Sequence, residues 1–72
     1  MNAMITNSKT RQYVTIDRTT KTQIVVGNRR FKINTESSEL GNQEIGGGYD
    51  FGMLYLEGSE AYALGVKADG ID

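Results

Sequence analysis

Two short runs in this chain have residue types that invite a chemical reading. Gly46-Gly47-Gly48 has the backbone freedom of a phosphate-cradling loop, and Asp50-Phe51-Gly52 spells the triplet with which protein kinases hold magnesium. Neither has the surroundings its chemistry needs. A phosphate loop continues into Lys-Ser or Lys-Thr and a helix, whereas Tyr49 and Asp50 follow here and a strand pattern begins. The remaining kinase motifs are missing from the 72 residues. Ser8, Ser37, Ser38 and Ser59 have no His to activate them, which leaves only a Ser–Lys pairing. Acid–base work would fall to carboxylates, Lys or Tyr. The carboxylates are spread through polar segments, with no apolar pocket evident to raise a pKa. The chain reads as non-enzymatic and without a cofactor. It has no Cys and no His, so disulfides and the usual Zn, Cu and Fe ligands are excluded, and only an all-oxygen Ca or Mg site remains open.

Charge is the stronger signal. Residues 1–33 carry seven Lys and Arg against Asp17 alone, a balance of +6, while residues 34–72 carry Lys67 against eight acids, a balance of −7. Two candidate surfaces follow. Arg18, Lys21, Arg30 and Lys32 form a candidate anion-binding set. Glu36, Glu39, Glu44 and Asp50 form a candidate acidic set that would meet a basic partner. The competing reading is that the two halves lie side by side and neutralise each other.

The elements that position these residues are mostly strands. Gly27-Asn28 signals a two-residue hairpin, with Gly27 supplying a positive φ. That turn pairs Val26 with Arg29, Val25 with Arg30, Ile24 with Phe31, Gln23 with Lys32 and Thr22 with Ile33. Directly opposite residues share a face, so Thr22, Ile24, Val26, Arg29, Phe31 and Ile33 line one side, and Gln23, Val25, Arg30 and Lys32 the other. A preceding strand from Tyr13 to Arg18 places Ile16 opposite Ile24 and Val14 opposite Val26 through a three-residue loop at Thr19-Thr20-Lys21, completing a three-stranded antiparallel unit over 13–33. Residues 34–48 read as a loop with a turn near Leu40-Gly41, anchored by Ile45. Residues 49–56 read as a strand that is apolar on both faces and therefore central or covered twice.

Residues 59–68 alternate as a strand would, but read better as a short helix. Ser59 is its N-cap, Glu60 lies in the first turn, Lys67 in the last, Gly70 follows, and Ala61, Leu64 and Ala68 face the sheet. Residues 1–10 read as a flexible polar tail with no signal-peptide segment. The whole predicts one mainly β domain over 1–72. It is a small antiparallel sheet or partly open barrel of four to five strands, with a short C-terminal helix.

Arg18-Thr-Thr-Lys-Thr-Gln-Ile-Val-Val, then Arg29-Arg-Phe-Lys, then Glu44-Ile-Gly, resembles a loose family of small uncharacterised phage proteins. Their pattern runs R-x-T-K-T-Q-I-x-V, a turn, R-x-F-R and a later Gly-rich turn, matched here over roughly residues 13–66. The resemblance implies a small viral β-domain and transfers no catalytic residue. In the family the third strand often runs on into further Arg residues, where this chain has Asn34, Thr35 and Glu36.

The expected function is that of a phage-type protein that binds and blocks a host protein or complex in the host cytoplasm, as an anti-CRISPR does. The alternatives are a nucleic-acid or nucleotide module using the cationic hairpin face, or a structural or accessory phage protein. No apolar stretch approaches the ~20 residues of a membrane span. A chain this short buries little surface, which favours a homo-oligomer or a bound partner.

Overall fold

The computed structural model describes residues 1–71. It contains seven strands and one helix: β1 (Asn2–Thr6), β2 (Arg11–Thr15), β3 (Arg18–Thr19), β4 (Gln23–Val26), β5 (Arg29–Lys32), β6 (Asn42–Gln43), β7 (Met53–Leu56) and α1 (Glu60–Asp69). They form a four-stranded antiparallel sheet in the order β2-β1-β7-β6 and a three-stranded one in the order β3-β4-β5. The mainly β fold with a C-terminal helix is as expected. The strands number seven rather than four or five, and the two sheets do not close into a barrel.

The β4–β5 hairpin has the register its turn dictates. Gln23 lies opposite Lys32, Ile24 opposite Phe31, Val25 opposite Arg30 and Val26 opposite Arg29, with Gly27 at φ +59°. One step beyond, the Ile33 amide donates to the Thr22 carbonyl. The expected pairing of the preceding segment is corrected. Arg11–Thr15 pairs with β1, and only Arg18 and Thr19 reach β4, opposite Val25 and Ile24. The chain crosses between the sheets at Ile16 and Asp17, whose amides donate to the Met1 and Val25 carbonyls. Leaving the first sheet there keeps Val14 and Ile16 packed against the core while Arg18 turns outward. The following turn needs no glycine, because the Thr20 hydroxyl accepts from the Gln23 amide at 3.1 Å.

The first ten residues are not a tail. β1 is a central strand, paired with β2 on one side and β7 on the other. Ala3 and Ile5 point into the core and Met4 points out under the helix, so the strand is apolar on both faces. The apolar run Ala3-Met4-Ile5 carried that information, but it is too short to stand out among polar neighbours. β7 is central too, as its two apolar faces required, although it begins at Met53 rather than Tyr49. Gly48–Asp50 forms a 3₁₀ turn instead.

The core lies between the sheets. Ala3, Ile5, Ile24, Phe31 and Leu54 are buried, with Val14, Ile16, Val26, Ile33 and Leu56 packed around them. α1 covers the other face of the four-stranded sheet. Ser59 caps it by accepting from the Tyr62 amide, and Gly70 ends it in the left-handed region. The face it buries differs from the expected one. Gly65 is the buried residue, while Leu64 is 59% exposed. A Cβ at Gly65 would collide with Met4 Sδ, so the glycine that weakens the helix is what lets it approach β1.

Phe31 and Leu54 are the largest apolar side chains with no exposure. Truncating Phe31 to Ala should cost about 4 kcal/mol, against a total stability of roughly 4–10 kcal/mol for a chain of this size. Urea denaturation should show the midpoint of Phe31→Ala lowered by about 40% or more, and Phe31→Leu still cooperative with a smaller drop.

Candidate partner-binding surfaces

Arg29 lies on the core-facing side of β5, where a charge requires a partner. Glu44 supplies it. Nε of Arg29 donates to Oε2 of Glu44 at 2.9 Å and Nη2 donates to Oε1 at 2.8 Å, in a bidentate fork. The guanidinium also sits 5.5 Å from the centre of the Phe31 ring. The Glu44 side chain is only 13% exposed and accepts a further bond from the Gly52 amide at 2.8 Å. Arg29, and then the Gly52 amide, hold its carboxyl below the usual Glu value against the opposing effect of burial.

The same residue joins the two sheets and ties off a loop. Glu44 bridges Phe31, and the Ile45 amide donates to the Arg30 carbonyl at 2.8 Å, so β5 continues sideways onto the end of β6. The Glu44 amide donates to the Gly52 carbonyl, also at 2.8 Å. Residues 45–51 therefore leave and re-enter the fold through a hydrogen-bonded neck. Ile45, expected to anchor this segment in the core, is instead 48% exposed, because its position opposite Arg30 puts it on the outer face. Phe51 is 37% exposed and Tyr49 is fully exposed. Gly46 and Gly48 have φ of +79° and +61°, and Gly47 passes so close to Phe51 that a Cβ would lie 2.6 Å from its Cα. The three glycines serve a tight, aromatic-tipped loop.

The acidic set does not assemble. Glu44 is engaged internally with Arg29, and Glu39 accepts from the Glu60 amide at 2.9 Å, helping to cap α1. Glu36 and Asp50 are exposed on separate turns, Glu36 in a cleft that Lys32 also lines. The segment around them is ordered by amides rather than apolar anchors. Buried Asn42 accepts from the Asn34 amide and donates to the Leu54 carbonyl, and the Asn34 side chain receives the Glu36 and Ser37 amides.

The cationic set does assemble. Arg18 and Arg30 flank Val25 from the two neighbouring strands, and Lys32 lies two residues beyond Arg30 on the same face. Lys21 is exposed in the turn that leads into β4. Among the described residues the ion pairs are Arg29–Glu44 and Arg11–Asp69, so none of these four cations is paired. Arg30 donates only to the Gln23 side chain, at 3.2 Å.

A third charged group fastens the helix end to β2. Arg11 grips Asp69 at 2.8 and 2.7 Å, and the Tyr13 hydroxyl donates to the same carboxylate at 2.6 Å. Arg11 first and Tyr13 second hold Asp69 at about 2, and desolvation raises Tyr13. Tyr13 also meets Tyr62 edge-to-face, with ring centres 6.0 Å apart. The open cleft beside this cluster, about 590 Å³, is lined by polar groups that mostly bond one another. Among the described residues no group of three or more His, Cys, Asp or Glu is placed to hold a metal ion, and no helix is long and apolar enough to cross a membrane. Comparisons with protein-family models, curated proteins and solved structures find no match to this chain.

Glu44→Gln should lower stability by about 2 kcal/mol at neutral pH, because Arg29 keeps its charge and loses the fork. The native Glu44 holds its proton less tightly than the unfolded chain does. Its contribution is therefore complete above the ordinary Glu value of 4.5 and is lost as pH falls through the lower native value. Urea midpoints of the parent and the Gln variant should converge on acidification below that value. Gly52→Ala should cost about 1–3 kcal/mol, since a Cβ there would lie 2.6 Å from Ile5 Cγ2 and 2.9 Å from Arg29 Nη2. Thermal unfolding checks it.

Proposed function

We propose that this chain is a small non-enzymatic protein of phage type that binds and blocks a host protein or complex, in the manner of an anti-defence inhibitor such as an anti-CRISPR. The observation that carries this reading is the loop 45–51. It presents Ile45, Tyr49 and Phe51 to solvent from a neck fixed by Glu44 and Gly52. Exposed apolar and aromatic groups on an ordered loop are what a protein interface uses as anchors, since little ordering entropy remains to be lost on docking.

This places the contact surface away from the acidic set first considered. Glu44 and Glu39 act within the fold, and Asp50 alone of the four rides on the loop. The resemblance to small phage proteins supports the viral assignment, and the host cytoplasm is the compartment this reading implies.

A tagged copy incubated with host lysate should retain a stoichiometric partner. Tyr49→Ala should weaken that capture by at least about tenfold, while its unfolding midpoint stays unchanged, because the side chain is fully exposed. Glu36→Lys should leave capture intact. Retention of the partner by Tyr49→Ala combined with Phe51→Ser would overturn the assignment of the loop.

A further inference from the structure

The two sheets differ in what lies on their outer faces. The four-stranded sheet carries α1, which packs on β1 and β7. Among the described residues no element covers the outer face of β3-β4-β5. Direct register places Arg18, Val25 and Arg30 in one row across that sheet, and the bridge between Phe31 and Glu44 extends the row to Ile45. Lys32 stands ~7 Å further along β5, and Arg18 and Arg30 are ~10 Å apart across two strand spacings. Val25 is only 6% exposed, so the accessible apolar group of the row is Ile45, 48% exposed.

We propose that this face binds single-stranded nucleic acid, with phosphates on Arg18, Arg30 and Lys32 and a base laid against Ile45, the exposed apolar side chain next to Arg30 at the end of the row. Charge complementarity selects the ligand. The cations are unpaired among the described residues and share one face; Glu44 is held by Arg29, the Asp17 carboxylate accepts from the Gly27 amide, and Glu36, in the cleft that Lys32 also lines, makes no ion pair with it. Shape selects the single strand. This face presents no projecting helix to enter a duplex groove, whereas an unstacked base can lie on exposed Ile45 while the neighbouring cations follow the backbone. The net charge of −1 does not oppose this, because the field that matters is local.

Fluorescence anisotropy with a labelled oligothymidylate tests the proposal. Three phosphate contacts predict an affinity that falls about 20-fold between about 50 and about 200 mM salt. Arg30→Gln should reduce the slope of log affinity against log salt by about 0.7. Arg18→Gln, Arg30→Gln and Lys32→Gln together should abolish binding, while Lys9→Gln with Lys67→Gln should leave it intact. All these side chains are exposed, and circular dichroism verifies that each variant is folded; Arg30→Gln alone carries the test if the triple variant is not. Tyr49→Ala should bind the oligonucleotide normally, so loss of host-partner capture and loss of nucleic-acid binding are read separately. Absence of binding at the lower salt, unchanged affinity of Arg30→Gln or of the Arg18, Arg30 and Lys32 triple variant, or tighter binding of duplex than of single strand would overturn it.

Discussion

The fold depends on one ion pair placed where two sheets meet. β5 turns Arg29, Phe31 and Ile33 inward, and an inward arginine at the mouth of an apolar core is tolerable only if its charge is met in full. Glu44 meets it with both oxygens, lies beside Phe31 as a bridge partner, and uses its remaining capacity on Gly52. One carboxylate therefore joins the two sheets beside Phe31 and ties the aromatic loop. At the opposite seam the chain itself makes the join, running from β2 into β3 through Ile16 and Asp17.

How much of this could be read beforehand followed the range of the interactions. The β4–β5 hairpin was legible because Gly27-Asn28 fixes the turn and the turn fixes every pair after it. The helix was legible because Ser59, Glu60, Lys67 and Gly70 are local end signals. The role of β1 was not, since a strand of five residues with polar ends becomes central only through partners more than 45 residues away. Gly65 illustrates the same limit: propensity counts it against a helix, and only the proximity of Met4 explains it.

The candidate surfaces divide along the same line. Arg30 and Lys32 lie on one strand face by alternation alone, so the cationic patch was visible in outline, and the observed pairing of Arg18 with Val25, not the expected register, brings Arg18 onto that face. The acidic residues had no such periodicity to group them, and two of the four turn out to act as structural acceptors. An arginine assigned to an apolar face was the available clue that one acid was already taken. The exposed aromatic loop left only its glycines as a trace.

The position of β1 bears on how the chain reaches this state. Ala3 pairs with Leu56 and Met4 with Tyr55, so the strand at the centre of the larger sheet closes its contacts across most of the chain length. The β1–β2 and β4–β5 hairpins and α1 need only near neighbours and can form early, whereas the β1–β7 pairing must close across most of the chain. By contact order, that long-range closure rather than any hairpin is the slow part of assembly.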